Sequence, residues 1–567
     1  MKEANQYGNA MRNVVRVTLN GRMDAFPKGV TLMDVVARLL PEQSSRVLCA
    51  LYGGICVELN QIIEEDCELT AITYQDEEGR RVYERSLRFL FLLSMNRLYP
   101  QKKVRILNSI GYGVYLQVTG EDVTQEMRGA LEADMRSLVE EDIPFERETW
   151  RREDATAYFR EKGWEDKASI LQYRPHDTIT MYHIQGLREY FYGAMLPSTG
   201  YIRAFSLKLH FPGLVIQFPA PDAPDTPAPY IPRPKHMRVF VESQKWCGIL
   251  GAANTFDINE MIKTGRMRDF IRVNEALHDK SIAHIADEIV ARGARIVMVF
   301  GPSSSGKTTF ANRLAVHLRV LGQKPKMLSL DDFYRDRDTL PKDANGHVDL
   351  EHVEALDIPH LGNCLEQLLG GDAVQMPRFD FSQSKRLPQS YKMTLAGDEP
   401  LIVEGIHALN DRIMAGLPAH LIYGVYVSAL PCINLDNHNR IRTTDVRLLR
   451  RIVRDIRFRN TSPVQTINMW PSVRAGEEKW IFPNQEKADI MFNTSLHYEL
   501  PVLKTIAYDL LLGIPRTQPE YLTARRLLKI LHYFLPVDEN VLQEIPPLSI
   551  LREFIGDCSF YLSPTHE

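Results

Sequence analysis

The first 75 residues alternate apolar and polar positions in a way that predicts a small mixed domain. Residues 14–19 read Val-Val-Arg-Val-Thr-Leu, which predicts a strand with one buried face. Asn20 and Gly21 supply hairpin-turn chemistry, and residues 31–40 carry apolar side chains at helical spacing. We therefore predict a β-grasp-like module over residues 13–75.

Farther along the chain, apolar runs of strand length alternate with segments of helical spacing. The runs 296–300, 326–330 and 401–403 have the apolar character of buried strands. Residues 309–321 have helical spacing and follow the first of these runs closely. Such an alternation predicts an α/β domain, in which a parallel sheet carries helices on both faces.

A glycine-rich loop joins the strand predicted at 296–300 to the helix predicted at 309–321. It has the pattern GxxxxGKT, and the predicted phosphate-binding residues are Gly301, Pro302, Ser303, Ser304, Ser305, Gly306, Lys307, Thr308 and Thr309. In such a loop the backbone N–H groups surround phosphate oxygens at a helix N-terminus, the lysine reaches the β- and γ-phosphates, and the hydroxyl after it can bind Mg²⁺. The loop therefore predicts a site for a nucleoside triphosphate, and we expect ATP.

Two acids follow predicted strands and should lie at the same edge of the sheet as this loop. Asp331 comes directly after the strand at 326–330, and Glu404 directly after the strand at 401–403. Ligands of open α/β sheets bind at the carboxyl ends of the strands, and Mg²⁺ commonly takes one or two carboxylates besides phosphate oxygens. We predict Thr308, Asp331 and Glu404 as the Mg²⁺ ligands, with a helix-capping carboxylate as the alternative for either acid.

Residues 445–456 combine an apolar stripe with four arginines. The apolar positions are Val446, Leu449, Val453 and Ile456, and the arginines on the remaining faces are Arg447, Arg450, Arg451 and Arg454. Arginines beside a transferring phosphoryl group neutralise the charge on its oxygens. In a chain without the phosphate loop, an ordinary solvated basic face would be the better explanation.

Several further segments stand in a characteristic order between residues 295 and 500. They are LSLDDFY at 328–334, LEHVEALD around Glu351, PRFDF at 377–381, VEGIHAL around Glu404 and DVRLLRRIVRD at 445–455. With the phosphate loop, this order closely resembles the uridine/cytidine kinase family of the phosphoribulokinase/uridine kinase superfamily. The resemblance implies ATP- and Mg²⁺-dependent transfer of the γ-phosphoryl group to the 5′-hydroxyl of a ribonucleoside.

The same resemblance implies roles for individual residues. Asp331 would be the base for the 5′-hydroxyl, and Lys307 would hold the phosphates. Glu351 would stand where an acid of the family holds the ribose hydroxyls. Arg451 and Arg454 would be the lid arginines that contact phosphate and substrate. The predicted catalytic residues are therefore Asp331, Lys307, Arg451 and Arg454.

The acceptor side departs from the family pattern. The stretch PxYDFxxHxR of the family reads here PRFDFSQSKR, so Phe379 and Ser384 replace a tyrosine and a histidine, whereas Arg386 matches. Glu351 is one methylene longer than the usual aspartate. We predict Glu351, Phe379, Ser384 and Arg386 as substrate residues, and the two lost hydrogen-bonding groups leave pyrimidine specificity open. Three residues that follow the arginine helix could form a different acceptor pocket, namely Arg474, Glu477 and Gln485. The alternative is that they form surface salt bridges.

The N-terminal half resembles a different family. By pattern, residues 13–75 resemble the TGS domain of threonyl-tRNA synthetases and some GTPases, and residues 84–215 resemble the second N-terminal domain of those synthetases. The second resemblance rests on Arg85-Ser86 with Leu90, Leu98-Tyr99-Pro100, Gly111-Tyr-Gly-Val-Tyr115 and Lys167-Ala-Ser-Ile-Leu171. In the synthetases this domain hydrolyses mischarged tRNA through an HxxxH and a CxxxH motif.

The positions that match those two motifs are here Arg85, Phe89, Phe191 and Met195. None of these side chains can activate water as a metal ligand or act as an imidazole base. The resemblance therefore implies a scaffold without its editing chemistry, in which Phe89 and Met195 pack into the former pocket. A sensor or oligomerisation role for this half is a hypothesis that rests on the resemblance alone.

Composition narrows the class of protein further. The chain has 567 residues and a net charge of −4, which argues against a surface built wholly for nucleic acid. Apolar runs fall short of the roughly 18 residues that a membrane span needs, and the cysteines form no dense framework. We expect a cytoplasmic homo-oligomer that acts on a small-molecule nucleoside and has neither a membrane nor a nucleic-acid partner.

A proline-rich stretch separates the two halves, with seven prolines between Phe218 and Lys235. The predicted domains are a TGS-like module at 13–75, an α+β synthetase-like domain at 84–215, a linker at 216–237, a P-loop kinase domain at 238–515 and a helical segment at 516–567. The last segment carries helical spacing and no chemistry that we can interpret. Two alternatives to a nucleoside kinase stay open: a kinase of another small alcohol such as a sugar phosphate, and an ATP-binding regulatory or RNA-associated protein.

Overall fold

The structure is a computed structural model that describes residues 14–336, 339–340, 349–380, 385–431 and 433–561. These residues form two compact units. The first contains the described residues up to Pro232, together with Asn434–Arg440 and Ile514–Tyr533. The second contains Arg233–Ile433, Ile441–Gly513 and the described residues from Phe534 onward. The domain boundaries drawn from the sequence remain predictions.

The first unit begins with a five-stranded sheet that packs against one helix. The strand order is Arg22–Pro27, Val14–Leu19, Cys67–Thr73, Val47–Tyr52 and Ile55–Val57, and a short pair joins Val30–Thr31 to Ile62–Ile63. Val14–Leu19 runs parallel to Cys67–Thr73 in the middle of the sheet, and the helix Leu32–Leu39 buries its apolar face in the same core. This arrangement is a β-grasp, and it confirms the predicted strand, turn and helix.

The remainder of the first unit combines antiparallel sheets with helices. One sheet has the order Ser206–His210, Gly213–Gln217, Gly113–Val118 and Val104–Ser109, and the other has the order Glu146–Arg151, Thr178–Ile184 and Leu187–Glu189. The helices are Glu77–Leu98, Gln125–Glu140, Arg152–Glu161, Glu165–Leu171 and Tyr521–Leu531. A short antiparallel pair joins Pro219–Ala220 to Ala223–Pro227, so part of the proline-rich stretch forms regular strands. A second short pair joins Asn434–Asp436 to Asn439–Arg440.

A buried ion cluster lies inside the first unit. The ammonium group of Lys167 is 2.8 Å from Glu189 Oε1 and 2.9 Å from Asp436 Oδ1, and all three side chains are about as enclosed as core leucines. The hydroxyl of Tyr190 donates to Asp436 Oδ2 at 2.7 Å. Burial alone would raise the pKa of Asp436, but the Lys167 ammonium outweighs it and lowers the pKa to about 2.

The second unit is built around a five-stranded parallel sheet, as the sequence predicts. The strand order is Lys326–Ser329, Leu401–Glu404, Ile296–Phe300, Ile422–Ser428 and Ile490–Asn493. The larger helices of this unit are Pro234–Leu250, Thr255–Lys263, Met267–Ala291, Lys307–Val320, Ile358–Leu369, Thr443–Phe458, Pro463–Gly476 and Glu499–Leu512. Shorter helices are Asp411–Met414, Glu539–Gln543 and Arg552–Ile555, and short pairs join Val374–Met376 to Tyr391–Met393 and Phe379–Asp380 to Lys385–Arg386.

Strand Ile296–Phe300 lies in the centre of this sheet, and all five of its residues are buried. Its carboxyl end leads directly into the glycine-rich loop, and the neighbouring strand Leu401–Glu404 ends beside it. The sheet therefore brings the loop and the predicted acids to one edge. Among the described residues, no helix has both the length and the apolar composition that crossing a bilayer would require.

Candidate active site

The glycine-rich loop has the conformation of a phosphate-binding loop because two of its glycines permit it. Gly301 has a φ of 157°, and a Cβ there would collide with the carbonyl oxygen of Val427. Gly306 has a φ of 85° and immediately precedes the helix Lys307–Val320. The N-terminal N–H groups of that helix have no partners inside the helix, so this end of it can bind an anion.

Ser303 in the loop is held by three side chains from outside the loop. Its backbone N–H donates to Glu477 Oε1 at 3.2 Å, and its carbonyl oxygen accepts from Arg447 Nε at 2.9 Å. Arg451 Nη1 donates to its hydroxyl at 2.9 Å. Glu477 and Arg447 are themselves joined as a fully buried ion pair. The loop is thus fixed before any ligand binds.

Lys307 and two carboxylates face one another across the loop. Desolvation lowers the pKa of Lys307, and the negative charges of Glu404 and Asp331 oppose this shift. The ammonium group donates to the carbonyl oxygen of Pro302 at 3.1 Å. A lysine in this position can exchange its loop carbonyl for a phosphate oxygen.

Glu404 and Asp331 form an acidic pair at the ends of adjacent strands. Glu404 Oε1 accepts from Ser329 Oγ at 3.0 Å and lies 3.4 Å from Thr308 Oγ1. Desolvation and the nearby charge of Asp331 raise the pKa of Glu404 to about 7. Desolvation also raises the pKa of Asp331, and the positive charges of Lys307, Arg459 and Arg454 oppose that rise. Two carboxylates and a hydroxyl that converge in this way suit a divalent cation with oxygen ligands.

The four arginines predicted on one helix divide into two groups with different environments. Arg447 and Arg450 are fully buried, and Arg450 Nη2 lies 2.6 Å from Glu499 Oε2. Arg451 and Arg454 instead line a cavity in front of the loop, as does Arg459, which follows the helix and which the sequence analysis did not select. Desolvation and the charge of Arg454 lower the pKa of Arg459 to about 10. Only the second group is placed to meet an anion in the cavity.

The cavity has a volume of about 690 Å³, within the range of small-molecule sites. Its walls include Lys307, Thr308, Asp331 and Glu404 on one side, and Tyr334, Leu350 and Glu351 on another. Desolvation raises the pKa of Glu351 to about 7, and the charges of Arg451 and Lys307 oppose the rise. All of these residues belong to the second unit. The fold thus brings Lys307, Thr308, Asp331 and Glu404 together at one cavity.

A part of the wall comes from the C-terminal segment, in which the sequence analysis found no chemistry. Arg552, Glu553, Gly556, Asp557 and Cys558 line the cavity. We find no motif or spacing that would have selected them. Segment 549–558 also follows the residues that match the kinase family, so family resemblance could not have indicated it either.

The predicted substrate residues are only partly brought to the cavity. Glu351 lines it, and Ser384 lies outside the described residues. Phe379 donates its N–H to Asp332 Oδ1 at 3.3 Å, and Arg386 Nη2 lies 3.2 Å from Asp357 Oδ2. Neither Phe379 nor Arg386 is among the described residues of the cavity wall, so their contact with a substrate remains a prediction.

Two of the three residues of the alternative acceptor pocket, Arg474 and Glu477, have other partners in the described part of the chain. Arg474 lies 2.8 Å from Glu477 and 2.9 Å from Glu478, Glu477 binds Ser303 of the loop, and Gln485 is buried. None of Arg474, Glu477 and Gln485 is among the described residues that line the cavity. Salt bridges are therefore the correct explanation for Arg474, and Glu477 has a structural role that its spacing did not reveal.

The four positions that match the synthetase metal motifs lie together in the core of the first unit. The rings of Phe89 and Phe191 are 5.4 Å apart between centroids, and both side chains are buried, as is Met195. The guanidinium group of Arg85 donates to the carbonyl oxygen of Ala194. Phe89, Phe191 and Met195 are therefore packed core residues at these positions.

Residues 296–499 match the model of the Phosphoribulokinase / Uridine kinase family. The matched part of the second unit is thus a P-loop kinase domain of the phosphoribulokinase/uridine kinase family. The N-terminal part matches the TGS and editing region of threonyl-tRNA synthetases. Threonine–tRNA ligase from Symbiobacterium thermophilum is 33% identical over 205 residues, which are 35% of this chain and 31% of that protein. The ligase from Carboxydothermus hydrogenoformans is 32% identical over 190 residues, which are 33% of this chain and 30% of that protein.

The chain thus spans about a third of the length of the curated relatives that it matches. Among solved structures, a protein described as a possible uridine kinase from Bacillus stearothermophilus is 19% identical, with a TM-score of 0.27 over 37% of this chain and 97% of that chain. D-glycerate 3-kinase from Cryptococcus neoformans var. grubii is 15% identical, with a TM-score of 0.20 over 44% of this chain and 87% of that chain.

Proposed function

We propose that this protein is an ATP- and Mg²⁺-dependent kinase that transfers the γ-phosphoryl group of ATP to a hydroxyl of a small molecule. A ribonucleoside 5′-hydroxyl is the acceptor that we propose first. The observation that carries the proposal is the convergence of Lys307, Asp331, Glu404 and Arg451 on one cavity of about 690 Å³. Phosphoryl transfer depends on positioning and on neutralising charge, and these residues supply both.

The loop and Lys307 would hold the phosphates of the nucleotide. The loop is fixed at Ser303 by buried groups, so binding a phosphate needs little reorganisation of the backbone. Lys307 would release the Pro302 carbonyl and donate to phosphate oxygens instead. Its lowered pKa would rise again when the phosphates arrive, because they add negative charge.

Thr308, Asp331 and Glu404 would hold Mg²⁺. The fit rests on the short distances among the Thr308, Glu404 and Ser329 oxygens and on the mutual repulsion of the two carboxylates. Mg²⁺ bound there would neutralise phosphate charge and orient the triphosphate. The two acids would be fully ionised in that state, since a cation favours the charged form of each carboxylate.

Asp331 would accept the proton of the attacking hydroxyl. As an ionised carboxylate in the wall of the cavity, it would have an oxygen lone pair for that proton. Arg451, Arg454 and Arg459 would neutralise the charge that spreads over the phosphoryl oxygens. Glu351 would bind hydroxyl groups of the acceptor, and its pKa of about 7 allows it to donate as well as accept a hydrogen bond.

The choice of a ribonucleoside as the acceptor rests on the family resemblance alone. Phe379 and Ser384 replace two hydrogen-bonding groups of the uridine/cytidine kinases, so a base other than a pyrimidine fits the proposal as well. A kinase of another small alcohol, such as a sugar phosphate, is the second candidate. It is favoured by Arg459, which lines the cavity together with Arg451 and Arg454 and could bind a phosphate on the acceptor.

The first experiment measures ADP release by the full-length protein with Mg²⁺ and ATP. The panel of acceptors contains ribonucleosides, deoxyribonucleosides and sugar phosphates. Lys307→Ala is the blank, and Lys324→Ala, which changes an exposed lysine just past the same helix, is the matched control. Turnover that depends on one acceptor supports the proposal. ATP binding without any acceptor-dependent turnover would favour the regulatory alternative.

A further inference from the structure

The C-terminal segment Ser549–Cys558 packs directly against the phosphate loop. A Cβ at Gly306 would lie 2.5 Å from Cγ2 of Ile550, so the Ile550 side chain packs directly against the backbone of the loop. Arg457 donates to the carbonyl oxygen of Ile555, and Phe554 is fully buried beneath the Arg450 guanidinium. The segment is therefore anchored on both sides of Glu553.

Glu553 uses this position to bind the first turn of the loop helix. Its Oε2 atom accepts from the backbone N–H of Thr309 at 3.3 Å and from the Thr309 hydroxyl at 2.7 Å. Thr309 is the third residue of the helix Lys307–Val320, so its N–H has no acceptor within the helix. In a phosphate-binding loop, N–H groups at this point face the phosphates of the nucleotide.

The carboxylate of Glu553 adds negative charge where the cavity already has two acids. Its charge is among the causes that raise the pKa of Glu404. The neighbouring Arg552 does not offset it closely, since its guanidinium donates to the carbonyl oxygens of Leu542 and Ile545. Phosphates that enter the cavity would meet this carboxylate and would compete with it for the Lys307 charge and for the Thr309 N–H.

We propose that Glu553 competes with a nucleotide phosphate for the first turn of the loop helix and thereby sets the affinity of the site for ATP. Glu553 must then move away from Thr309 before a nucleotide phosphate can bind the first turn of the loop helix. The inference rests on the proposed function in one respect, namely that the cavity binds a nucleoside triphosphate. It makes the C-terminal segment a part of the nucleotide site.

The test compares ATP binding by full-length variants with calorimetry in the presence of Mg²⁺. Glu553→Gln keeps the size of the side chain and removes its charge, and Glu539→Gln makes the same change at an exposed position of the helix Glu539–Gln543. We expect Glu553→Gln to bind ATP about tenfold more tightly than the wild type, because the amide oxygen accepts the Thr309 hydrogen bonds more weakly and no longer repels the phosphates. Glu539→Gln should match the wild type.

The direction of the effect separates competition from a purely structural cap. A cap that only stabilised the helix would leave ATP affinity unchanged or lower when Glu553 is replaced, and either result would overturn the inference. Glu553→Asp withdraws the carboxylate by one methylene and serves if Glu553→Gln does not fold; a smaller gain in affinity is expected from it. If neither the wild type nor any Glu553 variant binds ATP, the proposed function fails as well, whereas wild-type binding without a gain in the variants rejects the inference alone.

Discussion

Arg447 and Glu477 form a fully buried ion pair, and each of them also binds the backbone of Ser303 in the phosphate loop. Nη1 of Arg447 lies 3.1 Å from Glu477 Oε2, and Nη2 donates to Oε1. The Trp470 ring lies 5.3 Å from the Arg447 guanidinium. The pair therefore fixes both backbone polar groups of Ser303, which belong to two successive peptide units of the loop.

Breaking this pair should damage stability and nucleotide binding together. Glu477→Gln leaves the buried Arg447 charge without its carboxylate, and we expect a loss of about 3 to 5 kcal/mol in the free energy of unfolding. The KM for ATP should rise as well, because Ser303 loses one of its partners. Glu478→Gln is the matched control, since Glu478 is exposed and binds only Arg474 among the described contacts. Urea unfolding and steady-state kinetics measure the two effects; a variant as stable as the control would contradict the prediction.

Replacing Asp331 by asparagine should separate chemistry from binding. The amide keeps the shape of the side chain but cannot take a proton, so we expect kcat to fall by at least about 100-fold while ATP still binds. Asp332→Asn changes the next residue, which accepts the N–H of Phe379 and is not among the described residues of the cavity wall. That control should keep most of its kcat. An Asp331→Asn variant with normal turnover would exclude Asp331 as the base.

Mg²⁺ binding should strengthen as the pH rises through about 7. Desolvation and the Asp331 charge raise the pKa of Glu404 to about 7, so below that pH a proton competes with the metal for this ligand. Because the pKa of Glu404 is raised on folding, its ionisation lowers the stability of the metal-free protein between its ordinary pKa and about 7. Mg²⁺ should offset this loss, so the rise in Tm on adding Mg²⁺ should be larger at pH 8 than at pH 6.

Two variants test the assignment of this pH dependence. Glu404→Gln should reduce the difference between the Tm shifts at pH 8 and pH 6, because it removes the proposed metal ligand that titrates near pH 7. Glu366→Gln, an exposed acid in the helix Ile358–Leu369, should leave the difference unchanged. Equal Tm shifts at both pH values in the wild type would show that Glu404 is not a metal ligand.

The ion cluster in the first unit predicts a stability effect that is independent of the kinase site. Lys167→Met leaves the carboxylates of Glu189 and Asp436 buried without their cation, and we expect a loss of about 3 to 5 kcal/mol. Because the pKa of Asp436 is lowered to about 2, the stabilisation in the wild type should persist at neutral pH and decline as the pH falls toward 2. Lys162→Met changes an exposed lysine nearby and is the control. Melting curves at neutral and acid pH test both expectations, and equal stability of the two variants would refute them.

Local features of the site could be predicted because they depend on residues close together in the chain. The strand Ile296–Phe300, the loop and the helix Lys307–Val320 are consecutive, and their apolar spacing and glycines specify them directly. The sheet edge shared by Asp331 and Glu404 followed from the general placement of strand ends in parallel sheets. The arginine helix was predicted as an element, with Thr443–Phe458 as its observed extent.

The spacing of apolar residues could not predict which arginines of that helix are buried or which side chains they bind. Helical spacing assigns residues to faces but does not say which face another element covers, so Arg447 and Arg450 looked the same as Arg451 and Arg454. The carboxylates of Glu477 and Glu499 decided that the first two are buried in ion pairs. Arg451 and Arg454, by contrast, line the cavity.

By itself, the sequence determined the two kinds of domain, the phosphate loop and the acids at the ends of the strands, because each depends on short-range spacing. Only the tertiary structure placed Glu553 on Thr309, although the two residues are 244 positions apart in the chain. A contact at such a separation depends on how whole elements pack and leaves no periodic signal in the residues that make it. The part of the cavity wall that the C-terminal segment supplies was therefore decided by packing alone.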